Sequence, residues 1–229
     1  MRKIILVILS IVIISFWSCQ KDKVNISEYN FKNIYFPIHI GSWISYQIES
    51  INIDTQIDVN DTVSYQIKEL IESELQNFTN FNTYRVERYY RKDSTEEWEI
   101  LNVWELREYD KRIHKIEENV EYIRLLTPVK LHQNWDGNLY NYQEQENCEL
   151  RKIEFTNIGQ KMSETAFVTH YDFSSLIDKH FSEEQYAKNI GLVNKTIIDV
   201  DLNIDPNTPW ENKITKGEIY YQTYLDSYE

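Results

Sequence analysis

Apolar side chains recur at every second position along much of this chain, a period that fits a pleated strand with two unlike faces and does not fit a helix. Ile44, Tyr46 and Ile48 alternate with Ser45, Gln47 and Glu49. Val63, Tyr65, Ile67 and Ile71 share one parity, which Glu69 interrupts, and Tyr84, Val86 and Tyr90 alternate with Arg85, Glu87 and Arg91. Trp98, Ile100, Trp104 and Leu106 continue the pattern. Further strands are expected at Ile113 to Ile116, Tyr122 to Leu126, Leu150 to Phe155, Ala166 to Tyr171, Leu192 to Val200 and Gly217 to Leu225. Tyr, Trp and β-branched residues suit such half-buried surfaces. Strands this closely spaced predict a mainly β fold: an antiparallel meander forming a curved sheet, a partial barrel or a sandwich, with at most one or two short helices. The one helical pattern runs from Ser174 to about Lys188, with Leu176, His180 and Ala187 on one face. Asp172 or Ser174 would cap it, and Gly191 lies beyond its end.

The chain opens differently. Arg2 and Lys3 precede an apolar run from Ile4 to Trp17, then Ser18 and Cys19. A cationic start, a short apolar segment and a small residue before a cleavage point describe a secretory signal peptide. The run, about 14 residues, is shorter than the roughly 20 of a spanning helix. Ser18-Cys19 resembles the end of the lipobox of bacterial lipoproteins, with Phe16 and Trp17 departing from its usual aliphatic and small residues. An uncleaved anchor, or an ordinary signal peptide with an incidental cysteine, is the alternative. Three regions follow: a lipoprotein signal peptide over 1–18, a lipidated Cys19 with a polar tether over 19–33, and one antiparallel β domain over 34–229. Gln20-Lys21-Asp22-Lys23 resembles the charged tetrapeptide of surface-exported Bacteroidetes lipoproteins. The expected partner is thus a membrane, reached through acyl chains (palmitate) on Cys19, and the expected location is the outer membrane, on its cell-surface or periplasmic face.

A net charge of −13 argues against nucleic acid as a partner, since phosphate binding needs clustered Lys and Arg. Cys148 is the only cysteine besides Cys19, which rules out a disulfide within the processed chain and fits a small core residue. Neither a nucleophile elbow nor a phosphate-binding glycine loop occurs. No cofactor is implied.

Three constellations remain. Asp199, Asp201, Asn203, Asp205 and Asn207 stand at alternate positions and form a calcium candidate. Against the EF-hand pattern, Ile204 replaces the turn glycine and Trp210 the bidentate glutamate. The same spacing fits a strand with a wet face, Val200, Leu202 and Ile204 buried opposite it, and Pro206 and Pro209 at its end. A second metal candidate combines His170, Asp172, Asp178, His180, Glu183 and Glu184, without a helical histidine pair. The third is aromatic: Trp98, Trp104, Tyr220 and Tyr224, with Tyr89, Tyr90 and Tyr221, could line a concave face for a glycan or an apolar ligand, or else fill the core.

Four segments resemble a family of uncharacterised Bacteroidetes outer-membrane lipoproteins: Tyr35-Phe36-Pro37 with Gly41-Ser42-Trp43, Leu125 to Val129, Trp135-Asp136-Gly137-Asn138, and Tyr186 to Val193. The resemblance implies location and a mostly antiparallel fold, without an activity. Asp61-Thr62-Val63 and Asp93-Ser94-Thr95 resemble Bacteroidetes O-glycosylation sites. Physically, Asp136-Gly137 predicts a tight reversal, Trp43 and Trp135 are sheet anchors, and Gly191 permits a bend or bulge. The expected function is a non-catalytic lipid-anchored domain acting in binding or as a structural accessory, with a glycan, an apolar ligand or an envelope protein as its partner. The alternatives are an envelope glycan hydrolase with paired carboxylates and a carrier of an apolar molecule.

Overall fold

Among the described residues, twelve strands, every neighbouring pair antiparallel, make one sheet. The computed structural model describes residues 34–76 and 81–228; Cys19 and the expected leader and tether lie outside the described residues. The first six strands are β1 (Trp43–Asp54), β2 (Val59–Leu75), β3 (Asn82–Arg91), β4 (Glu99–Tyr109), β5 (Arg112–Glu117) and β6 (Val120–Leu126). The rest are β7 (Asn134–Asp136), β8 (Asn147–Ile158), β9 (Lys161–Ser174), β10 (Asp178–Ala187), β11 (Gly191–Leu202) and β12 (Ile214–Tyr228). Each run of alternation in the sequence falls in a strand, although Trp98 lies just before β4.

The spatial order is β6-β5-β4-β3-β2-β1-β12-β11-β10-β9-β8-β7. The first and last strands therefore zip together at the centre, and the free edges are β6 and β7, consecutive in sequence. These edges meet: the Ile123 amide donates to the Gly137 carbonyl at 2.9 Å, and Trp135 Nε1 donates to the Ile123 carbonyl at 3.0 Å. The sheet thus curls into a nearly closed barrel, which removes the exposed edges that invite aggregation. Two tight hairpins join β4 to β6. Asp110 and Lys111, like Glu118 and Asn119, carry positive φ at both turn positions, which matches the strand twist.

The expected helix over Ser174 to Lys188 is not formed. Its residues finish β9, turn at Ser175 and continue as β10. Ser182, Glu184 and Tyr186 are buried at period two, so two polar side chains occupy the inward positions and hide the alternation. Leu176, which suggested a helical face, sits exposed at the turn. Among the described residues the one helical element is a 3-10 turn at Trp210–Asn212.

Residues 34–42 run along one rim. Asn189 donates its amide to the Ile34 carbonyl at 2.5 Å and Gly41 donates to Ile71 at 2.8 Å, while Tyr35 donates its hydroxyl to Glu164. Phe36 and Ile38 pack both on the Leu125–Tyr186 cluster and on the Ile71–Val86–Leu106 cluster. The four segments that carry the family resemblance converge here: Tyr35, Leu125, Tyr186 and Leu192 are buried together, with Phe36, Val129 and Trp135 against them. On the outer face, Ile198, Val200, Leu202 and Ile219 form a separate cluster under Trp210.

Candidate functional site

Alternation that buries apolar groups also decides which polar groups point inward, and the barrel interior is not filled. A cavity of about 260 Å³ remains, far above the roughly 10–15 Å³ that one water requires. One part of its wall is apolar, from Phe36 and Trp43 through Ile71, Val86 and Leu106 to Tyr220. The other part is charged. Glu69 of β2 accepts from Arg88 of β3 at 3.1 Å and from Lys115 of β5 at 3.0 Å. Arg124 of β6 reaches Glu117 at 3.0 Å and Glu184 of β10 at 3.9 Å. Lys195 of β11 completes the series on Glu184 at 3.0 Å. The Arg88 guanidinium lies 3.5 Å over the Trp104 ring, and Lys115 lies 4.5 Å over the same ring.

Removing these charges from water is costly and persists only with partners. Burial acts to raise the Glu184 carboxyl, but Lys195, Arg124 and His170 outweigh it and hold the group well below the usual carboxylate range. Glu117 follows the same logic: burial opposes the charge, while Arg124 and Lys115 prevail. Both carboxylates are ionised at neutral pH. The Tyr186 hydroxyl, donating to Glu184 at 2.5 Å, is pushed up first by burial and then by that carboxylate. Four cations face three carboxylates around the cavity, and Arg124 Nε is buried without a hydrogen-bond partner. Inside a chain of net charge −13, the cavity carries a cationic excess.

The structure divides the aromatic candidates. Trp104 and Tyr220 line the cavity. Trp98 lies away from it, in a shallow groove with Lys68 and Arg91, the latter 4.2 Å over its ring. Tyr224 is half-buried and bonds Ser227 at 3.0 Å. Tyr89 meets Lys68, Tyr90 packs on Tyr65 and Tyr221 joins the outer cluster. Trp43 lines the cavity and Trp135 packs on the Leu125 cluster.

Of the calcium candidates, Asp199 and Asp201 lie on one exposed face of β11. Asp199 contacts His180 at 2.7 Å. Asp205 accepts from the Asn207 amide and the Thr208 hydroxyl in its own turn, and Asn203 is exposed. Val200 and Leu202 are buried as expected; Ile204 is 73% exposed, because the strand ends at Leu202. Asp136-Gly137 makes no two-residue hairpin either. Asp136 accepts from the Asn138 and Glu146 amides, opening a longer loop to β8. Gly191, with φ +104, does stand at the β10–β11 turn beside a register shift. Thr62 and Ser94 are both exposed. The histidine candidates separate: His170 is buried against Cys148 and Glu184, whereas His180 is at the surface near Asp178.

Composition gave no hint of the interior charges, yet a positional signal exists. Glu69 and Arg124 each stand at an inward position of a strand whose neighbours at that parity are apolar.

No family model matches the chain, and no curated protein matches it. Among solved structures, a candidate exported protein of YmcC-like fold from Bacteroides fragilis aligns with a TM-score of 0.51 at 12% identity, over 86% of this chain and 100% of that one. A candidate lipoprotein from Parabacteroides distasonis aligns at 0.43 and 9% identity, over 86% of this chain and 99% of that one. The first likeness is one of fold alone.

Proposed function

We propose that this protein is a lipid-anchored lipoprotein of the bacterial outer membrane whose barrel binds a small amphiphile with an anionic head group. The observation that carries the reading is the composition of the cavity wall: an aromatic and aliphatic side for a short chain, and a cationic excess for a carboxylate. Its volume approaches the lower end of small-molecule sites, about 300 Å³. The leader and Cys19 support the anchor, as does the description of the Bacteroides fragilis neighbour as exported. Two acyl chains hold a protein to a membrane where one is marginal. Nucleic acid is not a partner on this reading, given the acidic surface.

Glycan hydrolysis is the competing reading and would need a carboxyl with a raised pKa as proton donor. Glu117 and Glu184 are perturbed in the opposite sense, which favours binding over acid catalysis.

Calorimetric titration of the full chain with decanoate and with decanol tests the proposal. Saturable 1:1 binding of decanoate, at least about tenfold tighter than decanol (about 1.4 kcal/mol), is expected. Ile71→Trp, which fills the apolar side, should abolish it while leaving the fold intact by circular dichroism. Equal affinity for the two compounds, or decanoate binding that survives the filled cavity, would contradict it.

A further inference from the structure

Glu146, Cys148 and His170 meet outside the cavity, in an arrangement that the ligand reading does not use. The register that pairs Glu149 with Thr169 sets Cys148 of β8 opposite His170 of β9. His170 is the extra residue of a bulge, because Tyr171 pairs with Ser182 and Thr169 with Glu183. A bulge re-aims a side chain, and here the imidazole turns toward the thiol. Cys148 Sγ lies 3.3 Å from His170 Nδ1. Nδ1 lies 3.4 Å from one Glu146 carboxylate oxygen, and the other oxygen lies 3.8 Å from Sγ. Ligand atoms around a tetrahedral ion, with metal–sulfur near 2.3 Å and metal–nitrogen or –oxygen near 2.0–2.1 Å, stand about 3.3–3.6 Å apart. The sulfur and the nitrogen already sit at that spacing, as do the nitrogen and one carboxylate oxygen, and the three donors lie within 4.8 Å of one another.

We propose that Cys148 Sγ, His170 Nδ1 and a Glu146 carboxylate oxygen form a binding site for a divalent transition metal, with a fourth position open toward the polar groove beside it. Two further observations support the site. His170 Nε2 is buried without a conventional hydrogen bond and faces Glu184 Oε2 at 3.5 Å. Metal-bound imidazoles commonly direct their second nitrogen at a carboxylate in this way. Gly137 supplies the other. Its φ lies outside the positive region, so any residue could adopt its backbone, yet a Cβ there would stand 2.2 Å from Glu146 Oε2 and 2.9 Å from Cys148 Sγ. The glycine keeps space over the donors.

Entry is from a groove of about 620 Å³ bordered by Glu146 and His170, where Glu144, Glu149 and Asp172 outnumber Arg151; such a field concentrates cations. A thiolate with an imidazole selects zinc-like ions over calcium or magnesium. On loading, the S–H bond of Cys148 breaks, a sulfur–metal bond forms and the proton leaves to solvent, as does any proton on Nδ1. Three protein ligands and one open position are the pattern of exchangeable rather than closed zinc sites.

The test is titration of the metal-free full chain with Co²⁺. One equivalent should bring up a thiolate-to-cobalt charge-transfer band and tetrahedral visible absorption, both displaced by Zn²⁺. Cys19→Ser should keep the band and Cys148→Ser should lose it. Gly137→Ala and Glu184→Gln should each weaken affinity by about 10–100-fold. If Cys148→Ser does not fold, Glu146→Gln, altered at the groove, should lower affinity by at least about tenfold. A folded parent that shows no band at one equivalent, or a band that persists in Cys148→Ser, would overturn the site. Neither result touches the amphiphile cavity, whose wall excludes Cys148 and His170.

Discussion

Arg124 joins two carboxylates, Glu117 and Glu184, that have little access to water. Its truncation would leave Glu117 with Lys115 at 3.9 Å and Glu184 with Lys195 at 3.0 Å. Arg124→Ala is predicted to cost about 3–5 kcal/mol, read as a lower urea midpoint with an unchanged slope; a midpoint within error of the parent would show that the network contributes little. Gly217 is constrained by backbone instead of charge. Its φ is +134, and a Cβ would lie 2.1 Å from the Asp199 carbonyl oxygen of the paired strand. Gly217→Ala should therefore cost at least about 3 kcal/mol, checked by thermal melting. Neither residue was conspicuous in the sequence. Arg124 is one charge in an apolar run, and a lone charge on an inward parity marks a buried ion only once its partner on another strand is known. Glu117 and Glu184 are separated by most of a barrel in sequence, so no local pattern could join them. Cys148 and His170 were legible as a core thiol and a loose histidine cluster, but the bulge that brings them together has no sequence signature.

At the scale of elements, the barrel has one weak seam. β1, β2 and β12 sit at the centre of the sheet with long ladders on both sides, whereas β7 has three residues and its junction with β6 rests on few bonds. Hydrogen exchange should thus be slowest in β1, β2 and β12 and fastest at Ile123 and along β7, since sparse contacts open first. Slow exchange along β7 matching that of β1 would contradict the topology. Most strands were legible because their inward positions are apolar. β10 was not, because the polar Ser182 and Glu184 are buried at its inward positions, and β7 is too short to show a period. The hairpin turns at Asp110-Lys111 and Glu118-Asn119 lack glycine, so the usual signal for a primed turn was missing.

Across the whole molecule, interior electrostatics set a pH dependence. Glu117 and Glu184 titrate lower in the folded than in the unfolded chain, so the unfolded state takes up protons first on acidification. Their contribution is complete above the ordinary glutamate value of 4.5 and is lost as pH falls below it through the folded values. Urea midpoints should fall steeply below about pH 5. Glu184→Gln should flatten that fall. The antiparallel β meander was legible from period and spacing, but the choice among curved sheet, partial barrel and sandwich was not, because the order of strands depends on β1 finding β12 across the length of the chain. An unfilled interior is likewise invisible to pattern: the same aromatic residues would serve a packed core or a ligand wall. Where the amphiphile sits is the most direct test of that wall. Nuclear Overhauser contacts from decanoate methylenes should reach the methyl groups of Val86 and Leu106. Contacts confined to exposed side chains such as Phe173 and Leu176, with none inside the barrel, would contradict the account.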